Sequence, residues 1–496
     1  MERSWRRFVL AWTFAVALAI TSLSGAADWP RYGGDDQLTN DVSAARAGGL
    51  SSETAARIVE RWSAPLGGRF VASPLYAEDV SIGGQFEDLV YAATGTGAVV
   101  ALRADDGTVL WKRDVSGTVT TCGSTYGISS TPVLDRTRNL LYAVGADGLL
   151  NALDLSTGAT AAGWPLRIVE RTDAEYVWGG LSIVGARVYV PVASYCDKSA
   201  ADDFFADGRL VAVDVALARI VATFDVVPGP NNLGGIWGYA GTSIDPLTGN
   251  LWTATGNSWV YDPECDCHVE TAGYGESVVV LDRDLNVLAF NRPEGLPLVE
   301  DNDFGAAPLL FQPPGCPAMA AANAKNGLVY AWSRDEIWVG AFWSSRVGPD
   351  ELGSAFIAQP SYSPELNMLF ISNARDYDEE GATRTRDAVV ALAIEPDCTI
   401  PDRPTWTAPG IGRGPKTPAL VVDDLVFVPG GFDRNVFALE ARTGDTLWSA
   451  ALPGAVLAPI AYAGDQVLVA DASGVLHAFG LPKPTRGAGK IGLHAI

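Results

Sequence analysis

The sequence predicts an all-β protein, an eight-bladed β-propeller whose N-terminal strand closes the last blade. Three observations predict it: a strand-rich unit that recurs eight times, a small-large residue pair at the same place in each unit, and a last unit that is one strand short. A fixed repeat of strands and Gly-containing turns is the signature of radially repeated sheets.

The first 27 residues come before the repeats. They carry Arg3, Arg6 and Arg7, an apolar run from Phe8 to about Ile20, and the small residues Ser24, Gly25, Ala26 and Ala27. That order is the order of a secretory signal. Cleavage near Ala27 is expected to release a protein beginning near Asp28, exported to the periplasm or the exterior. The apolar run is short for a membrane span and no second one follows, so no span is expected in the mature chain. Residues 28–58 read as a polar N-terminal arm without helical periodicity.

Residues 73–113 show the unit cleanly. Ser73-Pro74-Leu75 opens it, LVYAAT is a buried strand, GTGAVVAL continues it, and RADDGTVLW turns and ends on Trp111. Residues 417–448 repeat the pattern from Thr417-Pro418 to Trp448. Unit starts fall near 73, 131, 181, 242, 307, 359, 417 and 458. The small-large pair recurs as Ala101-Leu102, Ala152-Leu153, Ala212-Val213, Val280-Leu281, Ala331-Trp332, Ala391-Leu392, Ala438-Leu439 and Ala478-Phe479, which suits strands packed between neighbouring sheets.

The closing aromatic recurs as Trp111, Trp164, Phe224, Phe290, Trp343, Trp406 and Trp448, and is read as packing between sheets. The last unit stops at Pro482 without one. VERWSAPLGG supplies Trp62 at the other end of the chain, so strand 59–67 is expected to complete the blade of 458–482 and leave no long sheet edge open. The propeller domain is thus 59–482, followed by a short tail, 483–496.

Acidic residues outnumber basic ones 58 to 35, a formal charge of -23, which excludes nucleic acid and anionic membranes as expected partners. Removing residues 1–27 takes away one Glu and three Arg, moving the balance to -25. Six cysteines in an oxidising compartment allow up to three disulfides, with connectivity that spacing leaves open. Cys265-Asp-Cys267-His268 lacks the spacing of covalent haem attachment and is expected to belong to a disulfide-bearing loop.

The segments DWPRYGGDDQLTN, IWGYAGTSIDPLTGNLWTATGN (236–257), DNDFGAAPLLF (301–311) and AAANAKNGLVYAW (320–332) resemble the quinoprotein alcohol dehydrogenases, above all their polyvinyl-alcohol-dehydrogenase-like branch. The resemblance spans roughly residues 28–482. It implies pyrroloquinoline quinone held over Ca²⁺ or a lanthanide, a small or polymeric alcohol as substrate, and a separate electron acceptor such as a cytochrome c. Hard cations of that kind take oxygen ligands.

Matched position by position, the resemblance makes Asn257 a metal and cofactor ligand, Asp301 the catalytic base and a metal ligand, and Asp303 the extra carboxylate of lanthanide-using members. Lys325 matches the basic residue on the quinone oxygens, and Trp237 lies at or beside the stacking tryptophan, or in the core. VASYCD puts Asp197 at the position of a further metal carboxylate; the insertion KSAADDFFA makes Asp203 its rival. The sequence departs from the family at TTCGSTYGISS, which offers Cys122 where the family has adjacent cysteines followed by an arginine. Asn and Asp beside Gly are also ordinary turn residues. A cofactor-free propeller scaffold of the cell envelope is therefore the second expectation.

Overall fold

The computed structural model describes residues 28–121, 124–194, 207–229, 234–262, 267–270, 273–294, 302–348, 356–377, 383–413 and 417–483. The signal segment expected over residues 1–27 lies outside them, as does nearly all of the tail. The described residues hold strands and three single-turn 3-10 helices, with no α-helix, so none is long and apolar enough to cross a membrane.

The strands form eight antiparallel blades around a ring. Their innermost strands are Leu75–Ile82, Val133–Asp135, Ser182–Val184, Ser243–Ile244, Leu309–Phe311, Ser361–Ser363, Leu420–Val422 and Ala461–Ala463, each within three residues of a unit start read from the sequence. Closure is as expected. Val59–Pro65 pairs antiparallel with Val475–Gly480 and becomes the outer strand of blade 8.

The small-large pairs sit in the third strand of each blade, and none of their residues is more than 5% exposed. Consecutive residues of a strand face opposite ways. Ala101 accordingly packs with Leu141 and Leu153 of blade 2, while Leu102 packs with Trp62 and Tyr462 of blade 8. One strand thereby cements two interfaces, at about 25 cal/mol for each Å² of apolar surface removed from water.

The recurring tryptophans lock blade to blade. Trp62 Nε1 donates to Ala104 O at 2.9 Å, Trp111 Nε1 to Leu155 O at 3.0 Å, and Trp406 Nε1 to Ala441 O at 2.9 Å. Under each ring lies the glycine of the neighbouring blade's turn: Gly107, Gly158 and Gly444, where a Cβ would come within 2.6 Å of the indole. Their φ values of +72°, +69° and +78° favour glycine a second time. Trp448 reaches across the seam to Ile58 O at 3.1 Å. Phe290 departs from the packing expectation, being 45% exposed against Tyr274. A disulfide, Cys316–Cys398, ties the first turn of blade 5 to blade 6 across 82 residues of sequence, a crosslink of the size that stabilises by about 2–4 kcal/mol. The loop cysteines Cys122, Cys196 and Cys265 lie outside the described residues.

The arm has a structural role that its polar composition did not suggest. It runs inside the ring and hydrogen-bonds the channel-facing edges of the inner strands. Trp29 exchanges backbone bonds with Tyr76, Pro30 O accepts from Leu134 N, Asp36 O from Ile244 N, Gln37 O from Leu310 N, Thr39 O from Tyr362 N and Asn40 O from Val421 N. Six blades have an inner-edge N–H satisfied by one stretch of chain. Blade 8 is reached through Tyr462, whose hydroxyl donates to Arg46 O.

This arm is acidic where it is tight. Burial pushes the Asp35 carboxyl up, and burial with the nearby Asp35 and Glu365 pushes Asp41 up to about 7 against Ser363 and Arg46. A carboxyl raised in the folded state binds its proton there more tightly than in the unfolded chain. Its stabilising contribution is complete below pH ~4 and is lost as pH rises toward 7. Asp41→Asn is therefore expected to match the parent protein's denaturant midpoint near pH 4 and to exceed it by about 1–2 kcal/mol of stability above pH ~7.5. A pH-independent difference between the two proteins would refute this.

Candidate functional site

In a four-stranded antiparallel blade, the turn between strands two and three and the link to the next blade leave from the same end. The ring therefore gathers sixteen such segments at one mouth. Trp237 lies on the link from Arg219–Asp225 to Ser243–Ile244. Asn257 follows the second strand of blade 4, Leu251–Ala254. Asp303 lies on the link into blade 5, and Lys325 on the turn between Met319–Asn323 and Leu328–Ser333. Four residues named from the sequence thus meet at one place.

Asp303 is the hub. Its side chain is 1% exposed, Oδ1 accepts the Asn257 backbone N–H at 2.5 Å, and Oδ2 accepts the Lys325 ammonium at 2.6 Å. The Lys325 backbone N–H donates to Asp303 O at 2.9 Å, so the two segments are joined twice. The loops are further woven by Gly234 N to Asn257 O at 2.9 Å and Gly256 N to Gly235 O at 2.8 Å.

Gly256 is needed for its missing side chain. A Cβ there would stand 2.5 Å from Asp303 Oδ1 and from both Cδ1 and Nε1 of Trp237. The indole therefore lies directly over the Gly256-Asn257 segment. Among the described residues, two buried polar atoms at this spot have no hydrogen-bond partner: Asn257 Oδ1, on a residue 6% exposed, and Trp237 Nε1. A buried carbonyl oxygen left without a donor is costly unless something else occupies it. An amide oxygen and a carboxylate side by side form the oxygen donor set that a hard cation takes. The residues present fit such an ion.

Asp301, Asp197 and Asp203 lie outside the described residues, and their expected roles stay expectations. Among the described residues no cluster of three or more His, Cys, Asp or Glu could hold a metal.

The structure adds residues that the sequence reading passed over. Tyr126, Tyr176 and Trp237 each stand seven positions before an inner-strand residue: Val133, Ile183 and Ile244. They form an arc of half-exposed rings, Tyr126 to Tyr176 at 5.7 Å and Tyr176 to Trp237 at 6.2 Å, both edge-on. Their common offset in three successive repeats was the available signal. Trp178 stacks behind Tyr176 at 6.4 Å and meets Tyr239 edge-on at 5.4 Å. The segment carrying Tyr176 and Trp178 is anchored by Glu175, 6% exposed, in a bidentate pair with Arg209 at 2.8 and 2.9 Å. Below the arc the channel is filled: Tyr32 and Leu38 of the arm pack with Tyr239, Ala240, Ala306, Ala307 and Ile357. Burial raises the Tyr239 phenol, which stays a donor to Leu457 O at 2.9 Å.

A family model described as outer membrane protein assembly factor BamB, PQQ_2, matches residues 60–222 and 377–481, more than half of the chain. A polyvinylalcohol dehydrogenase from Pseudomonas sp is 24% identical over 401 residues, 73% of this chain, and the match spans 59% of that relative's length. Among solved structures, a quinohemoprotein alcohol dehydrogenase from Comamonas testosteroni superposes with a TM-score of 0.70 at 14% identity, covering 93% of this chain and 81% of the other. A europium-containing methanol dehydrogenase superposes with a TM-score of 0.69 at 14% identity, covering 92% and 98%. At these identities the structural likenesses speak to the fold.

Proposed function

Because this chain belongs to the PQQ_2 family of β-propellers, whose model is described as outer membrane protein assembly factor BamB, the question is which use it makes of the ring, and we propose that it is an exported, quinone-dependent alcohol dehydrogenase. One observation carries the reading: a buried Asn257 carbonyl oxygen with no partner among the described residues, on a residue whose N–H holds the Asp303 carboxylate, at the mouth of a ring whose fold is that of quinoprotein dehydrogenases.

Asn257 Oδ1 and Asp303 would hold a calcium or lanthanide ion, with Asp301 and Asp197 as further carboxylates and Asp203 as the alternative to Asp197. Pyrroloquinoline quinone, when bound, supplies the electron sink that takes hydride from the alcohol carbon. Asp301 is the base that removes the hydroxyl proton. Trp237 offers an indole face at the mouth, and Lys325 a positive charge for the oxygens of the reduced cofactor. Tyr176 and Tyr126 extend the aromatic surface of Trp237 away from the Gly256-Asn257 segment. The packed floor of Tyr32, Leu38, Tyr239 and Ile357 closes the site from the far end of the ring. A small or polymeric alcohol is the substrate class, and electrons leave to a separate acceptor such as a cytochrome c.

The second reading, a cofactor-free scaffold of the cell envelope, draws on the description of the family model. That model matches blades on both sides of the site and skips residues 223–376, where Trp237, Asn257, Asp303 and Lys325 lie. The match therefore covers the shared repeat and leaves out the segment proposed for chemistry.

Adding pyrroloquinoline quinone with Ca²⁺ or La³⁺ to the purified protein is expected to give a bound chromophore, a raised melting temperature and dye reduction with short alcohols. In Asp301→Asn, dye reduction is expected to fall at least ~100-fold with the chromophore retained. Loss of the chromophore instead leaves Asp301 with the ligand role alone and the base unassigned. No chromophore and no thermal shift with either metal would leave the scaffold.

A further inference from the structure

Lys325 and Asp303 are joined more tightly than a contact to a cofactor alone requires. The ammonium lies 2.6 Å from Oδ2 of a carboxylate that is 1% exposed and whose other oxygen accepts the Asn257 N–H. A buried carboxylate without a positive partner is strongly destabilising, so the ring needs a cation there at all times. We propose that Lys325 is the resident counter-ion of Asp303, and that the metal must displace its ammonium from the site to bind. The proposal rests on the cation-binding reading above.

Three features carry it. First, Asp303 cannot be fully shared: a metal ion and an ammonium on one carboxylate in a water-poor site repel each other. Second, Lys325 has somewhere to go. Its side chain is 18% exposed, so the long stem can swing its charged end toward solvent at the mouth while the backbone stays pinned by the bond from its N–H to Asp303 O. Third, a second oxygen donor stands on the neighbouring residue: Asn257, whose N–H holds Asp303 Oδ1, has its own Oδ1 buried without a donor among the described residues. Loading the metal and freeing the Lys325 charge are then one event. A positive group becomes available at the mouth only once the ion is in place, which orders metal before anionic cofactor.

The test uses Tb³⁺ on the cofactor-free protein, read by luminescence on tryptophan excitation, with Trp237 packed over the Gly256-Asn257 segment as the near sensitiser. Lys325→Met removes the competing charge and is expected to lower the Tb³⁺ dissociation constant at least ~10-fold. Its melting temperature without metal is expected to fall and its metal-induced rise to exceed that of the parent. Lys325→Arg keeps the charge and is expected to bind Tb³⁺ within about threefold of the parent. A second measurement needs no variant: acetylation of Lys325 in the parent protein, followed by peptide mass spectrometry, is expected to speed up at least ~5-fold at saturating La³⁺. Equal or weaker Tb³⁺ binding by Lys325→Met, or labelling of Lys325 that does not rise with La³⁺, overturns the counter-ion role while leaving the metal site standing. If the parent and both variants fail to bind Tb³⁺ and Ca²⁺, the proposal and the cation site fall together.

Discussion

Deleting residues 28–65 is expected to leave a chain that no longer melts in one cooperative transition. Two losses coincide. The outer strand of blade 8 goes, with its ladder to Val475–Gly480 and with Trp62, whose indole fills the gap above Gly107 of blade 1. The arm goes too, uncovering inner-strand N–H groups at Tyr76, Leu134, Ile244, Leu310, Tyr362 and Val421. A net ~1 kcal/mol for each backbone bond, together with the apolar surface of Trp62, Trp29, Tyr32 and Leu38, reaches the ~5–15 kcal/mol that stabilises a whole domain. The shorter deletion of residues 28–47 separates the two causes. It keeps the closing strand and lets water reach the freed N–H groups, so it should still fold, with a melting temperature ~5–10 °C lower. Calorimetry of the three proteins decides the matter. A 28–65 deletion that melts like the parent would show that the ring closes without its N-terminal strand.

The contrast between arm and blades explains what could be read from the chain. Blade residues announce themselves because each must fit two neighbours: Ala101 faces blade 2 and Leu102 faces blade 8, so the pair recurs wherever a third strand recurs. Trp62 was legible because one repeat lacked its aromatic. The arm binds through the backbone carbonyls of Pro30, Asp36, Gln37, Thr39 and Asn40, which every sequence possesses and no periodicity marks. At the site, Asn257, Asp303, Lys325 and Trp237 were legible through a resemblance, and the structure brings them within a few ångströms of one another. The Lys325–Asp303 pair was not legible, because the two residues are 22 apart on different segments and meet only when blade 5 is built. The aromatic arc was written in the repeat register, but its residues precede the strands, on links whose length and composition vary from blade to blade and mask the common offset.

Gly256→Ala is expected to silence the site while sparing the fold. The added methyl would sit 2.5 Å from Asp303 Oδ1 and from the Trp237 indole, distances no real Cβ tolerates. The obstructing atoms belong to side chains, and Trp237 is half-exposed, so it can yield at an overall cost of about 1–3 kcal/mol without unfolding the blade. What yields is the arrangement proposed for chemistry: the indole lifts from the Gly256-Asn257 segment, or Asp303 turns away from the Asn257 N–H. Either movement disturbs the oxygen pair that would hold the ion, and a shift of ~1 Å at a metal or reacting centre is enough to cost on the order of 100-fold. The expected result is a protein with blade content and cooperativity like the parent, Tb³⁺ affinity at least ~100-fold weaker and no bound quinone chromophore. Ala143→Gly, in the buried second strand of blade 2, serves as a control for destabilisation, because that strand belongs to a blade that carries neither Asn257 nor Asp303. If Gly256→Ala binds metal and quinone as the parent does, the contact of Trp237 and Asp303 across Gly256 is packing alone, and the oxygen pair is not where the ion resides.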